Sequence, residues 1–205
     1  MLLSFQESKE LLDKYQIPLL KSAMAGNEEE LQSVLDDFDF PVVMKLDAPD
    51  MVHKTDKGGV KLGIQDRKEA TIALKELLNI NESGQVVIQP QSEGQEIIIG
   101  GKRDDIFGPV IMIGLGGIFV EIYQDIVFRL APIDKEEAFL MLEDIKGKKI
   151  LEGFRGHPAV NKEALAEILV RTSELLENEE QIKELDLNPV LVSDTSSVCD
   201  VKLIV

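Results

Sequence analysis

The chain has 205 residues, 44% of them hydrophobic, which is enough for one large domain or two small ones with a buried core. Its formal net charge of −16 argues against general binding to nucleic acids or anionic membranes, since both carry negative charge. No stretch approaches the roughly 20 apolar residues of a membrane helix, and the first residues lack a basic segment followed by an apolar core. The sequence therefore predicts a cytoplasmic protein, in which the single cysteine, Cys199, excludes an internal disulfide.

Helices alternate with strands along the first part of the chain. Ser4 and Glu7 have the spacing of a capping box, and the helix that they begin must end before Pro18. Asn27 is placed to cap a second helix, and apolar residues at helical spacing predict a third over 67–79. This alternation predicts a mixed α/β (α+β) fold.

Segment 40–64 predicts two strands, 41–46 and 60–64, joined by a polar loop. Lys45 lies near the end of the first strand. The loop holds five residues suited to binding phosphate: His53, Lys54, Lys57, Gly58 and Gly59. Glycines allow backbone N–H groups to approach a polyphosphate closely, and lysines supply mobile positive charge. The same residues also fit an ordinary hairpin with a solvated, charged tip.

Strands dominate the middle of the chain. Segments 85–89 and 95–99 predict two strands separated by a turn, and Pro90 suits a hinge better than a central strand. Further on, 118–123 and 126–130 predict a hairpin in which Glu121 and Arg129 stand among apolar neighbours. These charges either line a site or face solvent, and solvent is the commoner case for an isolated strand charge.

Two helices follow, capped by Asp134 and Asn161. The last polar group lies on the strand 184–189, where Glu184, Asp186 and Asn188 share one face, and a terminal strand that carries Asp200 comes next. Oxygen ligands from two adjacent strands suit Mg²⁺ when phosphates and water complete the octahedron. This spacing alone is weak evidence for a metal site.

Segments 40–64, 100–132 and 184–200, in this order, resemble the ATP-grasp domain of the NDP-forming acyl-CoA synthetases. That family includes ADP-forming acetate–CoA ligase and, more distantly, succinyl-CoA synthetase. The resemblance implies an ATP-grasp fold across residues 1–205, in which two subdomains clasp a nucleotide. It implies a lid-like N-terminal subdomain at 18–88 and a C-terminal subdomain made of 1–17 and 89–205.

The resemblance also implies roles for individual residues, with ATP or ADP and Mg²⁺ as cofactors. The implied nucleotide-binding residues are Lys45, Lys54, Lys57, Gly58, Gly59, Val87, Gln89, Gln91 and Glu96, the last on the ribose hydroxyls. The implied metal ligands are Asn188 and Asp200, with Asp186 as a second-rank candidate. The implied catalytic residues are His53, Arg129 and Glu121.

The implied activity is that of a β subunit, which makes ATP from acyl-CoA, ADP and phosphate by way of a phosphohistidine. Its partner would be a CoA-binding α subunit that carries the phosphohistidine, in an α2β2 hetero-oligomer. His53 would either relay the phosphoryl group or only order its loop. Two other functions stay open: a carboxylate ligase that acts alone, and a non-catalytic nucleotide-binding subunit that regulates a partner.

Overall fold

The computed structural model of the protein describes residues 1–48, 58–117, 124–154 and 158–205. These residues divide into two compact units. The larger unit consists of Met1–Leu19 and Glu93–Val205, and the smaller unit is Leu20–Ser92. The smaller unit begins and ends a few residues later than the limits 18 and 88 expected from the sequence.

Helices and strands are numbered here in chain order. The helices are α1 (Phe5–Lys14), α2 (Glu28–Val34), α3 (Arg67–Ile80), α4 (Lys135–Asp144) and α5 (Lys162–Asn178). The strands are β1 (Ala23–Ala25), β2 (Val42–Asp47), β3 (Val60–Ile64), β4 (Gln85–Pro90), β5 (Gln95–Asp104), β6 (Gly108–Leu115), β7 (Ile126–Leu130), β8 (Glu184–Val192), β9 (Ser196–Val198) and β10 (Val201–Ile204). No helix in the described parts of the chain is both long and apolar enough to cross a membrane.

Side chains at the helix starts explain where these helices begin. Each predicted cap accepts a hydrogen bond from the main-chain N–H three residues later, which satisfies a donor that the helix leaves unpaired. The confirmed caps are Ser4, Asn27, Asp134 and Asn161. At Ser4 the capping box is complete, because Glu7 also accepts the N–H of Ser4 at 2.8 Å.

The described residues of the smaller unit form an antiparallel sheet in the order β1–β4–β2–β3. One face of this sheet packs on α2 and α3. The core there is apolar and includes Val42, Met44, Leu46, Val86, Ile88, Leu31, Leu74 and Leu77. Because side chains alternate along a strand, Lys45, Val87 and Gln89 point to the opposite face.

The larger unit holds an antiparallel sheet in the order β10–β8–β5–β6–β7, with β9 beside β8. One face packs on helices: a Cβ added at Gly101 would lie 2.2 Å from Leu176 Cδ1 of α5. The other face, here called the open face, carries one row of cross-strand neighbours. These are Lys202, Asp186, Gly100, Met112 and Phe128. Phe128 on this face is 49% exposed.

Three details differ from the sequence-based expectation. Strand β5 continues past 99 to Asp104, because Gly100 and Gly101 pair with β6 and β8 and lack side chains that would clash. Pro90 is the last residue of β4 and lies opposite Val42, so it belongs to the sheet. Asp200 precedes β10 instead of lying in it. The predicted strand 118–123 lies outside the described residues.

Candidate functional site

Lys45 is held at the centre of the smaller sheet. Its strand neighbours are Val60 on β3 and Val87 on β4, and only 9% of its surface is exposed. The N–H of Leu46 donates to the oxygen of Gly59 at 2.8 Å, which fixes the start of β3 beside the lysine. The structure thus brings together Lys45, Val87 and Gly59, three of the residues predicted to bind nucleotide.

Gly58 enters β3 with a φ of 71°. This left-handed conformation is unfavourable for side chains other than glycine. The glycine predicted to approach phosphate therefore also has a structural reason to be glycine.

The two glutamines that were predicted to bind nucleotide use their side chains inside the smaller unit. Gln89 is buried and donates from Nε2 to Ser22 Oγ at 3.0 Å. Gln91 Oε1 accepts the N–H of Gly63 at 2.7 Å. If Gln89 or Gln91 contacts a nucleotide, it would thus do so through atoms other than these side-chain atoms.

Asn188 and Asp200 are neighbours in the larger unit, since the N–H of Asn188 donates to the main-chain oxygen of Asp200 at 3.1 Å. Asp186 lies two residues earlier on β8, opposite Lys202 of β10. Asp186 and Asn188 alternate with the buried Leu185 and Leu187, so they point to the open face.

Asp186 is partly buried and lies in the electric field of two neighbouring charged residues. Burial raises the pKa of the Asp186 carboxyl above its usual value, because burial disfavours the charged form. The positive charge of Lys202 opposes this rise, and the negative charge of Asp200 adds to it. Two carboxylates that repel each other are the arrangement that a bound cation relieves.

The donor set fits magnesium. The described residues contain no group of three His, Cys, Asp or Glu side chains that could hold a metal alone. They do offer the two carboxylates Asp186 and Asp200 beside the amide of Asn188. Mg²⁺ is usually bound by one or two carboxylates, with waters and substrate phosphates as the remaining ligands, so this partial set is the expected one.

Glu96 lies on β5, exposed and opposite Leu191 of β8. The N–H of Gly116 donates to its main-chain oxygen at 2.7 Å. Because Glu96 alternates with the fully buried Ile97, its side chain points to the open face, as those of Asp186 and Asn188 do.

Arg129 is in a different place. It lies on β7, pairs with Glu137 of α4, and has Nη2 2.5 Å from Asp144 Oδ2 at the end of that helix. Its row in the sheet contains Gly101, so it faces the helices, away from Asp186. The structure therefore does not bring Arg129 to the candidate metal ligands, and its phosphoryl-binding role stays a prediction.

Four of the predicted site residues cannot be compared in this way. His53, Lys54, Lys57 and Glu121 lie outside the described residues, and their roles stay predictions.

One buried carboxylate, Asp125, was not predicted from the sequence. This residue is only 6% exposed, and its two oxygens accept the N–H groups of Lys146 and Gly147 at 2.9 and 2.7 Å. In the sequence Asp125 looks like an ordinary turn residue between two strands. Its partners Lys146 and Gly147 follow α4, and no local sequence pattern connects Asp125 with that loop.

A protein-family model described as the ATP-grasp domain matches residues 1–205. The chain belongs to the ATP-grasp family. This ATP-grasp chain is 42% identical over 200 residues to subunit beta of acetate–CoA ligase [ADP-forming] I from Pyrococcus furiosus, a match that covers 94% of this chain and 86% of the relative. It is 39% identical over 202 residues to 4-hydroxybutyrate–CoA ligase [ADP-forming] from Nitrosopumilus maritimus, covering 95% of this chain and only 29% of that longer protein.

A solved structure has the same fold. The dinucleotide-forming acetyl-coenzyme A synthetase 1 of Ca. Korarchaeum cryptofilum, in complex with coenzyme A, Ca-AMPCP and HgCl⁺, superposes with a TM-score of 0.94 at 36% identity, covering 100% of this ATP-grasp chain and 93% of the other. Another structure of that synthetase contains coenzyme A and Mg-AMPPCP, with its phosphohistidine segment pointing towards the nucleotide binding site.

Proposed function

We propose that this chain is the nucleotide-binding β subunit of an ADP-forming acyl-CoA synthetase, which converts acyl-CoA, ADP and phosphate to a carboxylate, ATP and CoA. One observation supports the proposal above all. Asn188, Asp200 and Asp186 lie close together in a chain that is similar to the β subunit of such a ligase. The match covers 86% of that relative's length.

Phosphate binding is assigned to the smaller unit's hairpin. Lys45, which is buried beside β3, would contact phosphate oxygens, because hydrogen bonds between an ammonium group and phosphate are charge-assisted and strong. Gly58 and Gly59 would let the main chain approach the phosphates. Lys54 and Lys57 would add charge from the same loop, and the main chain at Val87, Gln89 and Gln91 would contact the base.

Metal binding is assigned to the larger unit. Asn188 and Asp200 would hold Mg²⁺, with Asp186 as a further ligand or as the acceptor of a metal-bound water. When bound, Mg²⁺ neutralises charge on the phosphates during transfer. Glu96 would accept hydrogen bonds from the ribose hydroxyls, since an ionised carboxylate is purely an acceptor.

Phosphoryl transfer depends on aligning donor and acceptor and on balancing charge, so the chain's main task is positioning. We assign the phosphoryl donor to a histidine on a CoA-binding α partner, within an α2β2 assembly. The support is the subunit-beta relative and the phosphohistidine segment of the Korarchaeum synthetase. His53 is proposed as a relay, since a neutral imidazole is a nucleophile near pH 7. Glu121 is proposed as a further catalytic residue.

Co-purification with tagged chain from the native cell, followed by an assay, tests this function. The complex should form ATP from acetyl-CoA, ADP and phosphate, and substituting Lys45→Ala should abolish that ATP formation. Lys75→Ala is the matched control, because Lys75 is an exposed lysine of the same unit paired with Glu28.

Other outcomes would contradict the proposal in distinct ways. Carboxylate activation by the chain alone, with ATP, would identify a ligase that needs no partner. A complex that binds ADP and never forms ATP would identify a regulatory subunit.

A further inference from the structure

The turn between β5 and β6 presents two large apolar side chains to solvent. Ile106 is 84% exposed and Phe107 is 66% exposed. Turns usually carry Gly, Asn, Asp, Ser or Pro, because the backbone of a turn suits these residues. Neither apolar side chain is buried among the described residues, so the fold itself gives no reason for Ile and Phe at this turn.

The main chain of this turn is fixed by hydrogen bonds. Asp104 Oδ1 accepts the N–H of Ile106 at 2.9 Å and the N–H of Phe107 at 3.1 Å. Gly108 lies opposite Asp104 and has a φ of 76°, which lets the chain re-enter a strand after a three-residue loop. The two apolar side chains are thus displayed by a preorganised main chain, which lowers the entropy cost of binding a partner.

Leu130 extends the apolar surface at the same end of the sheet. It is 57% exposed and lies opposite Val110, two residues after Gly108. Single apolar residues are normal on a protein surface, but several together mark a site of interaction with another molecule. The three residues Ile106, Phe107 and Leu130 are here called the apolar tip.

The charge beside the apolar tip indicates what kind of molecule covers it. Lys102 Nζ lies 3.9 Å from Asp104 Oδ2, whereas the exposed Asp105 has no ion pair within the described residues. The whole chain has a net charge of −16. A second copy docked tip to tip would bring like charges together, and an anionic membrane would be repelled as well. The complementary surface is an apolar pocket with a positively charged rim on a different protein.

We propose that the apolar tip is a docking surface for the CoA-binding α partner, which receives Ile106 and Phe107 in an apolar pocket rimmed by Lys or Arg side chains. The inference rests on the proposed function, since that function requires a second subunit. The Pyrococcus furiosus relative named subunit beta supports a separate partner chain. A few anchors that fill pockets, aromatic side chains above all, carry most of the binding energy of a protein interface.

Binding of the α partner to variants of the apolar tip tests the proposal. The partner is purified as the protein that forms ATP from acetyl-CoA, ADP and phosphate together with the wild-type chain, and titration calorimetry gives its Kd. Phe107→Ala and Ile106→Ala should each weaken this binding roughly tenfold or more, as expected when an interface anchor is removed. Ile72→Ala is the matched control, because Ile72 is an exposed isoleucine on α3 of the smaller unit.

Three further variants test the charge and the shape of the turn. Asp105→Lys should weaken binding, and more strongly at low salt, because it reverses the charge that faces a basic rim. Asp104→Ala should also weaken binding, because it removes the acceptor of both turn N–H groups. Asp104→Asn keeps an acceptor oxygen and should bind the partner nearly as well as the wild-type chain does.

Each outcome has a defined meaning. Binding of Mg-ADP by the variants checks that they fold, and Ile106→Ala decides alone if Phe107→Ala does not. Wild-type affinity for the partner in both variants would overturn the inference, and so would an equal loss in Ile72→Ala. A chain that dimerises alone and becomes monomeric in Phe107→Ala would assign the apolar tip to a second copy and overturn it too. A wild-type chain that forms no ATP with any partner would overturn the proposed function as well, which is a different result.

Discussion

The main-chain N–H of Asn188 donates to the main-chain oxygen of Asp200 at 3.1 Å. The N–H of Cys199 donates to the main-chain oxygen of Pro189 at 2.9 Å, so a second main-chain bond joins the same two segments. Main-chain bonds alone therefore set the proximity of the two candidate metal ligands. Their side chains can be exchanged while the framework that joins them stays in place.

Asp200→Asn should therefore leave the fold intact and remove the metal-dependent part of nucleotide binding, because a neutral amide is a weaker Mg²⁺ ligand than a carboxylate. Thermal shift measures this: the rise in melting temperature that ADP gives should no longer depend on Mg²⁺. Asp194→Asn, an exposed aspartate in the turn after β8, makes the same charge change and should behave as wild type. An unaltered magnesium response in Asp200→Asn would place the metal elsewhere.

Asp186→Asn should change how stability depends on pH. Burial raises the pKa of Asp186 in the folded chain, so the folded state holds this proton more tightly than the unfolded state does. The free energy of unfolding then falls as pH rises from the unfolded pKa, near 3.9, through the raised folded pKa. Asparagine cannot ionise, so the variant should not lose free energy of unfolding in this way. Without metal, it should therefore be at least as stable as wild type at neutral pH. Urea unfolding across that pH range measures it, and a variant less stable at neutral pH would contradict it.

Much of this architecture follows from local chemistry that the sequence displays. The caps at Ser4, Asn27, Asp134 and Asn161 and the strand Val60–Ile64 were predicted because turn and cap residues act within a few positions. The resemblance implied that Asn188 and Asp200 hold one metal ion, and the main-chain bond between them makes the two residues neighbours.

Contacts between distant segments could not be predicted in this way. The family resemblance implied a site role for Arg129, and the local sequence showed only a charge among apolar neighbours. Its partners Glu137 and Asp144 come from a helix whose packing no local pattern reveals. The side-chain bonds of Gln89 and Gln91 have the same origin, since each depends on how two separate strands or loops meet.

Glu179→Gln should destabilise the larger unit. Glu179 is a nearly buried carboxylate that accepts bonds from Lys14 Nζ at 2.5 Å, Gln181 Nε2 at 2.7 Å and the Tyr15 hydroxyl at 2.9 Å. These bonds, above all that from Lys14, lower its pKa, so its contribution is present above the unfolded pKa and is lost as pH falls through the lowered folded value. At neutral pH we expect a loss of about 1–3 kcal/mol in the free energy of unfolding.

Urea unfolding of Glu179→Gln at several pH values tests this. The difference from wild type should shrink towards acid pH, where the carboxylate is protonated. Glu177→Gln, at an exposed glutamate in the last turn of α5 just before Glu179, is the control and should match wild type. A difference that grows as the pH falls would contradict the assigned role.

Arg129→Met should weaken the attachment of β7 to α4 and leave nucleotide binding unchanged. The arginine is partly exposed, so its two ion pairs together should be worth about 1 kcal/mol of unfolding free energy. Urea unfolding and ADP titration on the same preparation separate the two effects. Unchanged stability with lost phosphoryl transfer in the assembled enzyme would instead restore Arg129 to the site.

The central claim is that this chain binds a magnesium nucleotide through Lys45, and titration calorimetry of the isolated chain with ADP tests it most directly. We expect ADP to bind with Mg²⁺ present, more weakly in EDTA, and roughly tenfold or more weakly in Lys45→Ala, with Lys75→Ala unchanged. No binding by wild-type chain at millimolar Mg-ADP, or equal affinity in Lys45→Ala, would contradict the claim.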